Sequence, residues 1–339
     1  MNPDGRFPSH MPFAVMLPPA SQPMTDAPTA RFVRYLAAKR SVDDRALNAR
    51  VAHSFRAALP RSSPEAPLRV LEVGAGIGTM IERLFEWHFA SDAVITAVDE
   101  QEALLSEARR RLSHLGRALG YDMSGSGPAS LDLRRGGHLI RVEFVATEVL
   151  EFARARRDQR EWDVLLAHAF LDLVDLHTAL AALTGLLRDR ALLYLTINFD
   201  GATQFLPEID QTLDAKIETL YHRTMDRRMR DGRGSGDSHT GRRLFQALPA
   251  VGAEILEAGS SDWLVFANRS GYPADEGFFL SWILDSHESA LRGCKELDAP
   301  RLGGWIAERR RQAERGELIY ITHQLDFLAR MTGGRPGEL

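Results

Sequence analysis

Cysteine is almost absent from this chain. Cys294 is the only one in 339 residues, which excludes a disulfide framework and a thiolate metal cluster and fits a reducing cytoplasm. Lysine is scarce as well, at Lys39, Lys216 and Lys295, so arginine carries the positive charge. Neither sign dominates: the formal net charge is −4, which leaves no global field to attract nucleic acid or an anionic membrane. No apolar run approaches the roughly 18 residues of a membrane-spanning helix. The arginine runs at 226–233 and 308–315 interleave with acids and read as solvated helix faces. No stretch alternates aromatic and basic residues as a single-strand platform does. The histidines lack partners at ligand spacing, so no metal is expected.

The composition that remains, 44% apolar and 26% charged, is that of a globular protein. Residues 1–30, interrupted by prolines, read as a flexible tail rather than a signal peptide. Over 31–60, Phe32, Leu36, Leu47, Val51 and Phe55 recur at helical spacing and predict a helical cover. Strands and helices then alternate from "LRVLEVG" through "AVITAVD", "LIRVEFVA", "WDVLLAHAF" and "ALLYLTIN", which predicts a parallel sheet covered on both faces. "GYDMSGSGPAS" reads as a loop insertion. "AEILEAG" and "DWLVFAN", joined at "SS", read as an antiparallel pair. Residues 201–240 read as a lid-like insertion. Residues 271–339 read as a wholly helical extension, with Leu318, Ile321, Leu325 and Leu328 on one helix face.

The densest signal is "VLEVGAGIGTM" at 70–80. Gly74, Gly76 and Gly78 alternate at the carboxyl end of a strand and just before a helix, the edge where open α/β sheets bind ligands. Glycine allows the tight turn and the close approach of a ligand. The spacing is G-x-G-x-G, not the G-x-G-x-x-G of dinucleotide folds. Glu72 precedes the turn. Asp99 closes the second strand, where a carboxylate can accept both hydroxyls of a ribose.

Together "EVGAGIG" and "VDE" (98–100) resemble the class I S-adenosylmethionine-dependent methyltransferases, over about Leu68 to Asn268. The resemblance implies a doubly wound, mostly parallel seven-stranded sheet with a final antiparallel strand, within a domain spanning 61–270, plus helical N-terminal and C-terminal extensions. It implies S-adenosyl-L-methionine as cofactor. Glu72, Gly74, Ala75, Gly76 and Gly78 would cradle the methionine part, and Asp99, with Glu100 beside it, the ribose. Glu148 would take the adenine amino group and Val149 the ring, although Thr147 stands where the family usually has glycine. Ala167 and His168 would hold the amino end. Glu148 also reads as a plain first-turn acid, and His168 as a hydrogen-bonded structural histidine.

The acceptor in such folds binds above the same edge. His168, Asp172 and Asp200 are therefore the candidate catalytic groups, and Asn198, Tyr221, His222, Tyr320 and His323 the candidate substrate contacts. The "NPPY" motif of base-amine methylation is absent after the fourth strand, where "HAFL" stands. The expected activity is methyl transfer to N or O of a small molecule, without nucleic acid or membrane as partner. A protein or RNA methyltransferase, and a non-catalytic S-adenosylmethionine-binding protein, are the alternatives.

Overall fold

The computed structural model describes residues 27–333 apart from 124, 126, 128, 158 and 231. Residues 1–26 of the expected tail lie outside that set, and 27–30 already belong to the first helix. The chain opens with α1 (Ala27–Ala46) and α2 (Ala49–Ala58), the latter capped by Asn48, whose side chain accepts from the N–H groups of Arg50 and Val51. The alternating unit follows: β1 (Leu68–Val73), α3 (Thr79–Glu86), β2 (Ala93–Asp99), α4 (Glu102–Ala118), β3 (Ser130–Arg135), β4 (His138–Ala146), α5 (Val149–Ala155), β5 (Trp162–His168), α6 (Leu176–Thr184) and β6 (Leu187–Leu206). Beyond it come α7 (Gln211–Asp226), the small hairpin β7 (Met229–Arg230) and β8 (Arg233–Gly234), α8 (Thr240–Ala250), β9 (Ala253–Ser260), β10 (Trp263–Val265), α9 (Glu276–Leu291), α10 (Ala299–Glu314) and β11 (Ile319–Met331).

Among the described residues the main sheet has nine strands, in the order β10-β11-β6-β5-β1-β2-β4-β3, with β9 also on β11. β4, β2, β1, β5 and β6 are parallel, and β1 and β5 are buried on both faces, as their unbroken apolar runs require. The expected seven-stranded layout is thus corrected in three places. "SLDLRR" forms β3, hairpinned to β4 through Gly136 and Gly137, both at positive φ, the two-glycine turn that matches strand twist. β9 and β10 do not pair with each other. They lie end to end against β11, and Ser261, whose N–H donates to the Gln324 carbonyl, bridges the break.

The third correction is the last segment. Residues 319–331 are not helical but form the strand next to β6. Its inward set begins Tyr320, Thr322, Gln324 and Asp326, all at most 3% exposed. Three of these four are polar, so the period of two was hidden, while its leucines happened to fall at helical spacing. β6 also runs on to Leu206, so 201–206 are strand and not insertion.

Apolar residues of α1, α7, α9 and α10 form one core over the carboxyl edge of the sheet. Two further cores fill the sheet's faces. No helix among the described residues is long and apolar enough to cross a membrane.

Candidate functional site

β1 runs straight into the glycine turn. Gly74, Gly76 and Gly78 have φ of 65°, 53° and 77°, a region that costs an L-residue about 1–3 kcal/mol. The turn is tied to β2 twice: the Ala75 N–H donates to the Val98 carbonyl (3.1 Å), and the Gly76 N–H to Asp99 Oδ2 (2.9 Å). A Cβ on Gly74 would lie 2.4 Å from the Phe170 ring, and one on Gly76 3.7 Å from Leu36 of α1. The loop after β5 and the first helix therefore close over the turn.

The two acids expected here are both present and buried. Glu72 is 2% exposed, and its Oε2 has no hydrogen-bond partner among the described residues. Burial pushes its carboxyl up to about 8; Arg83 opposes this and Asp99 adds to it. Asp99 Oδ1 accepts the Gln101 N–H (2.9 Å). Burial raises Asp99 to about 6, against the pull of the Gln101 and Gly76 N–H groups. The site thus holds two acids that a cation, or a set of donors, would favour in their ionised form.

His168 sits at the end of β5 with both ring nitrogens engaged. Nε2 lies 3.0 Å from Asp43 Oδ2 and Nδ1 2.8 Å from Thr196 Oγ1. A carboxylate only accepts, so Nε2 carries the hydrogen and Nδ1 accepts from the threonine hydroxyl. Burial lowers the imidazole to about 4, against the pull of Asp43. No lone pair is left for a substrate proton, so the expected base role finds no geometric support. Asp43 is the hub: it also accepts from Lys39 (2.5 Å) and from the Trp263 indole N–H (2.8 Å), with Arg83 at 3.9 Å. Burial would raise Asp43, but Lys39, then His168 and Arg83, hold it well below the usual carboxylate range.

The other expected residues divide. Asp172, in the loop after β5, keeps a buried Oδ1 without a partner among the described residues, and burial raises its carboxyl against the pull of Arg228. Asp200 is taken by Arg242, which donates its backbone N–H (2.7 Å) and Nε (2.9 Å) to Oδ1. Asn198 donates to the Leu325 carbonyl and joins β6 to β11. Glu148 caps α5 by accepting the Glu151 N–H (2.9 Å), and Val149 is buried as that helix's first residue. Glu100 pairs with Arg230 of the small hairpin. Ala167 is fully buried in β5. His222 pairs with Thr203 (3.0 Å), and burial lowers it to about 4. His323 pairs with Asp262 (2.8 Å) and lies 3.7 Å from Asp200. Tyr221 and Tyr320 lie in the apolar core above the sheet edge.

Sequence reading missed Lys39, Asp43, Arg83, Thr196, Phe170 and Asp326. Only Lys39 and Asp43 carried a signal, an i,i+4 pair on an amphipathic helix. It also missed that Asp226, Asp237 and His239 bring ligand-type atoms within 4.8 Å of one another. Each already has a partner in the chain: the Ser238 N–H, Arg243 and the Ser238 hydroxyl respectively.

No protein-family model matches the chain, and no curated protein matches it. Among solved structures it is similar to geranyl diphosphate C-methyltransferase from Streptomyces coelicolor A3(2), in complex with Mg2+, geranyl diphosphate and S-adenosyl-L-homocysteine. That similarity covers 91% of this chain and 86% of that one, at 12% identity and a TM-score of 0.43. It is also similar to a SAM-dependent methyltransferase from Methanosarcina mazei, over 80% of this chain and 99% of that one, at 14% identity and a TM-score of 0.42.

Proposed function

We propose that the chain is an S-adenosylmethionine-dependent methyltransferase that acts on N or O of a small molecule by in-line displacement. One observation carries the reading: a left-handed glycine turn whose middle N–H is bound by the acid ending β2, beside a buried glutamate with an unpaired oxygen. The residues fit the cofactor. Gly74, Ala75 and Gly76 offer backbone with no bulky Cβ. Glu72 offers an acceptor for a cationic group. Asp99 keeps lone pairs for ribose hydroxyls beside its two backbone bonds. When bound, S-adenosylmethionine supplies an electrophilic methyl on a sulfonium.

The chain's own residues then have three tasks. α1 and Phe170 exclude water above the turn. The Lys39–Asp43–His168 network fixes the end of β5 against α1, making His168 a positioning residue. Asp172 takes the acceptor's proton where one must leave, since His168 and Asp200 are already engaged whereas Asp172 Oδ1 has no hydrogen-bond partner among the described residues. A reducing cytoplasm suits the lone Cys294, and the reading involves neither nucleic acid nor membrane.

Titration calorimetry with S-adenosylhomocysteine tests this. The wild type should bind, and Asp99→Ala should lose about 1–3 kcal/mol, tenfold or more, with a folded protein retained. Incubation with methyl-labelled cofactor and cell extract should label a small-molecule fraction. Absence of binding by the wild type, or equal binding by Asp99→Ala, would refute the assignment.

A further inference from the structure

The glycine turn is closed over. Glu72 and Asp99, the acids beside it, are 2% and 9% exposed, and Glu72 Oε2 has no hydrogen-bond partner among the described residues. A ligand reaches those acids once something above the turn moves.

Two apolar side chains lie against the glycines, and they differ in how close they come. Leu36 of α1 is 3.7 Å from the place that a Cβ on Gly76 would take, an ordinary contact distance. Phe170 comes far closer to Gly74. Its Cδ2, Cγ and Cβ lie 2.4, 3.0 and 3.2 Å from the position of the missing Cβ. The first of these is well inside the separation of about 3.5–4.0 Å at which carbons pack, so the ring fills the space that the glycine leaves free. In the methyltransferase reading, that is the space through which the cofactor approaches the Gly74 backbone. Ring and ligand cannot both hold it.

The backbone next to Phe170 is strained. Ala169 has φ 50°, in the left-handed region, which disfavours a residue with a Cβ by roughly tenfold. The Ala169 N–H donates to the Thr196 carbonyl (2.8 Å) and fixes the chain up to that point, and Leu171, fully buried, fixes it beyond. Phe170, between them, is partly exposed, so its ring turns outward without crossing the core. Leu36 has less freedom, because Arg40 ties α1 to Glu82 and Glu86, and Asp43 ties it to His168.

We propose that Phe170 is a plug in the cofactor site: its ring rests on Gly74 in the free protein and swings on Ala169 to the outer side of the ligand when S-adenosylmethionine or S-adenosylhomocysteine enters. The identity of the ligand rests on the methyltransferase reading. A plugged state slows association, because ligand enters the unplugged fraction alone. A ring that is simply a wall of the site acts differently: it holds the ligand in and sets dissociation.

Stopped-flow mixing with S-adenosylhomocysteine separates the two, with circular dichroism to check that each variant is folded. Phe170→Ala should associate about tenfold faster than the wild type, and Phe170→Leu should fall between them. Phe170→Leu carries the test if Phe170→Ala does not fold. Ala169→Gly should associate about three- to tenfold more slowly, because glycine removes the strain that favours opening. Faster dissociation with unchanged association in the Phe170 variants would make the ring a wall and overturn the plug. So would an Ala169→Gly variant that associates as fast as the wild type. A wild type that fails to bind in calorimetry while Phe170→Ala binds would support the plug. If the wild type binds and the association rates do not move, the plug alone falls. If neither the wild type nor any Phe170 variant binds S-adenosylhomocysteine, the methyltransferase reading falls and the plug with it.

Discussion

Glu72 is ionised only at a cost, and that cost has a pH signature. Its folded-state carboxyl lies at about 8 against an ordinary 4.5. A raised acid binds its proton more tightly folded than unfolded, so it contributes stability below about 4.5 that is lost as pH rises towards 8. Asp99 acts in the same direction, but only up to about 6. His168, His222 and His287 are all lowered from 6.5 to about 4, chiefly by burial. Depressed histidines stabilise above 6.5 and lose that contribution as pH falls from 6.5 to 4. Above about 7.5 they are nearly silent, and from there to about 8.5 Glu72 dominates. The melting temperature of the free protein should fall across that window, and in Glu72→Gln it should stay flat. S-adenosylmethionine, a cation, should bind the wild type more tightly as pH rises through about 8, and Glu72→Gln should show no such rise. A wild type with a flat profile from about 7.5 to about 8.5 would mean that Glu72 is already paired.

At the scale of the element, β11 decides the fold, and Asp326 ties it in. Its Oδ1 accepts the Ile197 N–H of β6 (2.7 Å), and its Oδ2 accepts the Asn48 N–H between α1 and α2 (2.8 Å). Ile197 itself sits at φ 57°, an outlier for a β-branched residue, held next to Thr196, the partner of His168. Asp326→Ala leaves one buried and one part-buried N–H unpaired and should cost about 2–5 kcal/mol in denaturant unfolding, with Asp326→Asn recovering part of it. A loss under about 0.5 kcal/mol would show that water replaces the carboxylate. Asp326 also marks where the sequence stops being legible. The parallel strands were readable because each is an apolar run that ends in a turn signal. Glu72, the glycines and Asp99 were readable because their positions are local. β11 was not, since its inward residues are largely polar and find their partners at long range. The Asp43 hub was not either: Arg83 is 1% exposed in a stretch that reads as an ordinary amphipathic helix, and only the packing of α1 against β5 turns it inward.

Over the whole molecule, the site lies between a rigid sheet edge and a cover held by two kinds of contact. α1 buries Phe32, Tyr35, Ala38 and Val42 in the core above the sheet, and Arg40 ties it to Glu82 and Glu86 of α3. An ion pair links the small hairpin to the site, Arg230 to Glu100, the residue after Asp99. Its strands are two residues each, and Met229 is 61% exposed. The glycine-rich stretch after it is not a loose hinge. Ser235 donates its hydroxyl to the Leu173 carbonyl (2.8 Å) and Ser238 its N–H to Asp226 (2.8 Å). The Arg230–Glu100 pair is half-exposed, so it contributes about 0–1 kcal/mol and salt screens it. In hydrogen exchange, the amides of Met229, Arg230, Gly232 and Gly234 should be fast in the free protein, and S-adenosylhomocysteine should slow them, while Ser235 and Ser238 stay protected throughout. Arg230→Ala should speed cofactor dissociation by about two- to fivefold and remove most of its salt dependence. Stopped-flow release at low and high salt measures both. An unchanged dissociation rate in Arg230→Ala, with the hairpin amides indifferent to S-adenosylhomocysteine, would leave α1 as the cover that opens, and its Arg40 pairs as the contacts that set the rate.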